Sequence, residues 1–231
     1  MKYLVLMSGK INSGKNYYSS LLKEQFEGMG LSVAEDLFAK GLKDGCSEDF
    51  EQLSNVFDTE LSKIQATLGA YFDAFDRISC SAEDSILHEI DKLKFKKHNF
   101  YEDKTPITRS LLQIYGTEVF RNRVDDNIWV KNMSDRINSE YPDVDVVIVT
   151  DLRFENELSM TYEYISDRRI VPIRINRNIS RRGNEHTHPS ECALDEYTMW
   201  EYIIDNSGTQ EDLYDSSVWV ADDILQPDVG V

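Results

Sequence analysis

Cysteine is scarce: Cys46, Cys80 and Cys192 are scattered through 231 residues without a C-x-x-C pair. That spacing excludes a disulfide framework and a thiolate zinc site, and suits a reducing compartment. Histidine is almost as rare, at 4 residues. His186 and His188 with Glu191 have passable metal-ligand spacing, but nothing supplies a convincing further ligand. Long apolar runs are missing as well. Residues 3–7 (YLVLM) are too short for a signal-peptide core or a membrane span, and no later run approaches one. The expectation is a soluble cytoplasmic protein with no membrane partner. Basic charge is in deficit, with 25 Lys and Arg against 42 Asp and Glu for a formal net charge of −17. A surface that negative repels anionic membranes and nucleic-acid polymers. Small anions remain admissible wherever the few basic residues gather.

What is present begins with a foldable composition, 41% hydrophobic and 11% aromatic, which excludes a disordered chain. The motif that orders the rest comes early, at residues 9–16 (GKINSGKN). A short β-prone apolar run precedes it, and residues 17–26 follow with Leu21, Leu22, Gln25 and Phe26 at helical spacing. Strand, glycine loop and helix in succession are the setting of a phosphate-binding P-loop. Gly9 and Gly14 let successive N–H groups turn inward onto a phosphate at the positive end of the following helix, and Lys15 adds a point charge. Asn16 stands where a Ser or Thr hydroxyl usually meets Mg²⁺. The metal is then held through the amide oxygen or mostly through water.

Further along, residues 31–34 read as a second short strand and residues 48–70 have helical spacing at Phe50, Leu53, Phe57, Leu61, Ile64 and Leu68. Residues 48–104 are taken as a helical insertion, dividing the core into residues 1–47 and 105–231. The lysine run at residues 92–97 reads as a solvated face. Thr105 and Pro106 open a helix running to about residue 121. Another spans residues 126–141, closed by Pro142. Residues 144–149 read as a strand buried on both faces, residues 155–168 as a helix, 170–175 as a strand, and 176–190 as an arginine-rich lid. Residues 202–204 form a last strand, 205–208 turn, and Thr209 caps a helix to about residue 220. Strands alternating with helices imply an α/β fold, a doubly wound parallel sheet of the P-loop type with ligands outside the strands' carboxyl ends.

Three groups of residues suggest a second ligand. Arg109, Gln113, Gly116 and Thr117 share one helix face, and a mid-helix glycine costs roughly 1 kcal/mol against alanine, which suggests a close approach to the backbone. Arginine grips phosphate, a glutamine amide pairs with a base edge, and Trp129 offers a surface for stacking. An ordinary amphipathic helix with Trp129 in the core is the bland alternative. The strand ending at Asp151 delivers a carboxylate to the ligand edge for Mg²⁺, water or a substrate hydroxyl. Arg153 follows it toward a phosphate, with Glu157 orienting that arginine or touching the substrate. Last, Arg168, Arg169, Arg174, Arg177, Arg181 and Arg182 crowd one stretch of an acidic protein, as in a lid over transferring phosphates. Arg168 and Arg169 precede the expected strand and belong to the bland part of that cluster.

Together, SGKINSGKN, LFAKGLKD, TRSLLQIYGTEVFRNRVDDNIWVKNM, VVIVTDLRFENE, HTHPSE and YIIDNSGTQEDL resemble the bacteriophage deoxynucleoside monophosphate kinases, P-loop enzymes with an adenylate-kinase-like core. The resemblance covers most of the core and leaves residues 48–104 uncovered. It implies ATP and Mg²⁺ as co-substrates and a deoxynucleoside monophosphate as acceptor. By the same likeness Lys10, Asn12, Ser13, Gly14, Lys15 and Asn16 face ATP, with Arg177 and Arg182 in the lid and Asn206 and Gly208 near the adenine. Lys43, Arg109, Gln113, Gly116, Thr117, Trp129, Asp151, Arg153 and Glu157 form the acceptor pocket. Lys15, Arg109, Asp151 and Arg153 are the expected catalytic groups, and Asn16 and Asp151 the expected metal contacts. A homodimer is compatible with this likeness, although no stripe in the sequence marks an interface. The competing readings are another P-loop small-molecule kinase and a nucleotide-gated assembly ATPase.

Overall fold

A computed structural model describes residues 1–44, 100–102, 112, 114–122, 125–177 and 189–226. The helical insertion expected at residues 48–104 therefore lies almost wholly outside the described residues, as do the helix start at Thr105 and Pro106 and the lysine run at residues 92–97. The chain divides into two compact units, one of Met1–Gly41 and Val119–Val231, the other of Leu42–Glu118.

The first unit is built on five strands: β1 (Lys2–Ser8), β2 (Val33–Asp36), β3 (Val146–Val149), β4 (Arg168–Asn176) and β5 (Tyr202–Asp205). They pair in the order β2-β3-β1-β4-β5, every neighbour parallel. Strands 1 and 3 read as unbroken apolar runs because both faces are covered. Tyr3, Val5, Met7, Val146, Ile148, Val171, Ile173 and Ile175 pack with Tyr18, Leu22 and Phe26 of α1 (Lys15–Gly28) and with Leu213, Val220 and Ile224 of the last helix, Gln210–Leu225. The residues between them, Leu4, Leu6, Val147 and Val149, point the other way and are fully buried too. The remaining helices are a π-type helix α2 (Ile114–Arg121), α3 (Ile128–Glu140), α4 (Glu155–Tyr164) and a single turn α5 (Pro189–Cys192), which makes the last helix α6.

Several expected boundaries move. The helix expected over residues 155–168 stops at Tyr164, because Ile165 turns extended and Arg168 already pairs with Lys2 at the start of β4. Arg168 and Arg169 are thus strand residues, the first donating to the carbonyls of Tyr141 and Val144, the second to Ile224 O and the Glu201 carboxylate. They brace the amino ends of the sheet and take no part in a lid. The last helix runs on past residue 220 to Leu225, since Val220, Ala221 and Ile224 keep the buried spacing that Asp222 and Asp223 conceal in the sequence. Its start is as expected: Thr209 Oγ1 accepts from Asp212 N (3.1 Å) and the Asp212 carboxylate accepts from Thr209 N (2.8 Å).

In the second unit, the side chain of Leu42 occupies the space beside Gly116, where an added Cβ would meet Leu42 Cδ2 at 2.7 Å. The close approach that a mid-helix glycine suggested is therefore made by a leucine. Lys43 in the same unit lies over the Tyr101 ring, 5.0 Å from its centre.

Candidate functional site

The parallel arrangement aligns the carboxyl ends of β1, β3 and β4, and the loop of residues 9–16 leaves the first of them. Its backbone is crowded enough to demand both glycines. A Cβ on Gly9 would sit 2.5 Å from Ile175 O, and one on Gly14 would sit 2.2 Å from Asn206 Nδ2, with Gly14 already at φ +92. Asn12 takes the left-handed conformation at φ 60, which asparagine tolerates better than most side chains. Asn206, expected near the adenine, reaches from the end of β5 to donate from Nδ2 to Ser13 O (2.8 Å). It braces the loop. Gly208, beyond it, leaves room for the Asp212 carboxylate, which a Cβ would meet at 2.7 Å.

Two features of this loop fit a bound polyphosphate. Ser13 is 1% exposed and its hydroxyl has no hydrogen-bond partner among the described residues, a rare and costly state for a buried polar atom. Lys15 Nζ, at the amino end of α1, donates to Gly9 O (2.6 Å) and Lys10 O (3.0 Å), so the ammonium is folded back inside the loop. Burial pushes its pKa down to about 8, and the positive charges of Arg153 and Arg174 push the same way against the opposing pull of Glu191 and Asp151. A cation held among cations is stabilised by an incoming anion. Asn16 is exposed in the first turn of α1.

Arg153 leaves the end of β3 and Arg174 the end of β4. Arg174 donates to Ser8 Oγ (2.9 Å) and Asp195 Oδ1 (3.3 Å), its guanidinium 5.7 Å from the centre of the Trp200 ring. Arg153 pairs with Glu191 of α5 and donates to Ser190 O (3.1 Å). Lys10 is tied to the same segment through Glu191 O (2.6 Å) and the Asp195 carboxylate. Glu191, a candidate metal ligand in the sequence, is here the partner of an arginine; His186 and His188 lie outside the described residues. Among the described residues no three His, Cys, Asp or Glu side chains are grouped to hold a metal.

The two carboxylates after β3 face inward. Asp151 accepts from the main-chain amides of Phe38 (2.8 Å) and Ala39 (3.0 Å), fixing the turn that follows β2. Each of its oxygens accepts one main-chain amide, which leaves a further lone pair on each. Asp36, buried at the end of β2, pairs with Arg136 of α3 (2.8 Å), and Arg136 also donates to Leu37 O (2.6 Å). Glu157 accepts from the amides of Arg153 (2.7 Å) and Phe154 (3.1 Å) and pairs with Arg121. Burial pushes its carboxyl up to about 7, while Arg121 and the two amides pull it back. Glu157 therefore orients the Arg153 main chain.

Arg121 is a residue that sequence reasoning missed. It is 5% exposed, stacks on Phe154 at 3.8 Å from the ring centre, and donates to Asn156 Oδ1 (2.9 Å) as well as to Glu157. The only signal was its place in the motif run FRNR. Trp129 is buried at the start of α3, edge-on to Phe120 with centroids 5.3 Å apart. Arg177 is exposed just past β4. Arg109, Gln113, Arg181 and Arg182 lie outside the described residues, and Lys43, Gly116 and Thr117 belong to the second unit.

A family model described as deoxynucleotide monophosphate kinase matches residues 12–217. No curated protein matches the chain.

Proposed function

The chain belongs to the deoxynucleotide monophosphate kinase family, and on that footing we propose that ATP, seated on residues 9–16, is the donor and a deoxynucleoside monophosphate, its phosphate met by Arg153, is the acceptor. The enzyme is accordingly a phosphotransferase acting on deoxynucleotides. The observation that supports the finer reading is the gathering of Lys15, Arg153 and Arg174 in a chain of net charge −17, with Lys15 lowered to a pKa of about 8 by burial and by the two guanidinium groups.

The chemistry asked of these residues is modest. An acceptor phosphate oxygen, already anionic near neutral pH, attacks the γ-phosphorus in line. The new O–P bond forms as the bond to the β–γ bridging oxygen breaks, and ADP departs with that electron pair. No protein nucleophile is needed, so the protein contributes position and positive charge. The loop amides, Ser13 and Lys15 hold the donor phosphates, Arg153 and Arg174 offset the charge on the transferring group, and Asp151 and Glu157 keep the strand-end loop in shape. Asn16 and Asp151 are the side chains that would hold Mg²⁺, which would supply further charge neutralisation at the phosphate oxygens. Recognition of the acceptor's base and sugar is assigned, on sequence pattern, to Lys43, Arg109, Gln113, Thr117 and Trp129, Gly116 being taken up by its contact with Leu42. Arg177 and Arg182 are assigned to the lid on the same ground.

A coupled assay for ADP, run with ATP and each deoxynucleoside monophosphate in turn, tests the proposal. ADP release that depends on one or more of these acceptors is expected; release at the same rate without any acceptor would mark a simple ATPase instead. The pH profile is a second, independent check. Above the Lys15 pKa of about 8 the free enzyme loses the ammonium that meets ATP, so kcat/KM for ATP falls. Bound phosphates raise that pKa, so kcat holds to higher pH. If kcat/KM for ATP stays flat well past that range, Lys15 does not carry the role given to it.

A further inference from the structure

We propose that Glu191 is a positioning residue for phosphoryl transfer: it fixes one edge of the Arg153 guanidinium and leaves the other edge open for the acceptor phosphate. The inference rests on the reading of Arg153 given above and deepens it.

Glu191 is a buried carboxylate, its side chain 4% exposed, whereas that of Arg153 is 37% exposed. Burying a carboxylate is expensive unless it is paired, and its partner is Arg153. The pairing is one-sided. Arg153 Nη1 meets both the Glu191 carboxylate and Ser190 O, while Nε and Nη2 have no partner among the described residues. A guanidinium offers five N–H donors in a rigid plane, so anchoring Nη1 sets the direction of the rest. The Arg153 amide is held independently by Glu157 at 2.7 Å. Main chain and head group are thus fixed by different partners, and the donors that remain are those able to take a phosphate bidentately.

The same short helix also touches the donor loop. Lys10 Nζ donates to Glu191 O at 2.6 Å and pairs with Asp195, so α5 joins the P-loop to the acceptor-side arginine through one four-residue turn. A carboxylate that acted as a plug against the acceptor would be expected to take the bidentate edge of the arginine, which here stays open.

Steady-state kinetics of the full chain with ATP and an accepted deoxynucleoside monophosphate test this. Glu191→Gln keeps the shape and removes the charge; assayed near pH 6, where Lys15 keeps its proton without the raising pull of Glu191, kcat is expected to fall by about 10- to 100-fold through loss of alignment, with KM for ATP changed by no more than about threefold because the loop contacts remain. Arg153→Lys lacks the planar fork, so adding Glu191→Gln to it is expected to cost at most about threefold more, the mark of two residues acting as one unit. Glu191→Asp, which keeps the charge, is expected to recover part of the loss, and it serves in place of the glutamine variant if that variant's thermal melt shows it unfolded. The proposal is overturned by a Glu191→Gln enzyme with wild-type kcat, by effects that multiply independently with Arg153→Lys, or by a fall in nucleotide KM at unchanged or raised kcat, which is what a plug would give. Wild-type enzyme that transfers no phosphate to any acceptor would instead bring down the functional reading, and this inference with it.

Discussion

Replacing Lys15 with methionine lowers kcat/KM for ATP by at least about 10³-fold, the upper end of what a single charge-stabilising donor contributes in an active site, and leaves the fold intact. The two halves of that expectation have separate causes. Activity falls because the ammonium is the positive group inside the P-loop itself, folded onto Gly9 O and Lys10 O. Stability does not fall, because burial, Arg153 and Arg174 all disfavour the charge of Lys15. A lysine whose folded pKa lies below its unfolded value binds fewer protons in the folded state, so its charge costs stability at neutral pH, and that cost disappears as pH rises above the unfolded value. Methionine removes the cost at pH 7. Kinetics and a thermal melt on the same preparation check both halves: an unchanged or raised Tm with lost turnover is expected, whereas wild-type-like turnover would refute the role of Lys15.

The second large effect is on stability. Arg121→Met leaves the Glu157 carboxylate buried without its counter-ion, and breaking a buried pair from one side costs about 3–5 kcal/mol. For a chain of this size that is a fall in Tm of roughly 6–20 °C. The pH dependence distinguishes this cause from simple loss of packing. The Glu157 carboxyl titrates at about 7 in the fold against an ordinary value of 4.5, so the folded state binds more protons and stability falls as pH rises from the lower value through the higher. Without Arg121 that carboxyl moves further up. The Tm deficit of the variant is therefore larger at pH 8 than at pH 5, and adding Glu157→Gln restores part of it. A deficit independent of pH, and unrelieved by the second substitution, would show that the stacking on Phe154 matters and the ion pair does not.

The contrast between Lys15 and Arg121 shows what could be read from sequence. The P-loop was legible because its demands are local: Gly9 and Gly14 answer to backbone crowding within a few residues, and the flanking strand and helix carry their own periodicities. Strands β1 and β3 were legible for the same reason, since burial on both faces leaves an unbroken apolar run. Arg121 was not, because its burial depends on Phe154, Asn156 and Glu157, more than thirty residues away in sequence, and an arginine near a helix end otherwise looks solvated. Glu191 was given no role by the sequence, where only two histidines stand close to it, because its partner comes from the end of β3. Asn206 was expected near the adenine, and only the fold shows it bonding to Ser13 O. Arg168 and Arg169 were expected just before a strand, and pairing with Lys2 and Tyr3 puts them inside β4 itself.

The central claim is that the donor phosphates on Lys15 and the acceptor phosphate on Arg153 belong to one reaction. A crystal structure with a bisubstrate analogue, adenosine joined to a deoxynucleoside through a chain of phosphates, tests it most directly. The account predicts phosphate oxygens on Lys15 Nζ and the Ser13 hydroxyl at one end of the bridge, and on the open Nε and Nη2 edge of Arg153 at the other. An analogue bound with the Arg153 guanidinium turned to solvent, and no phosphate near it, would contradict the account.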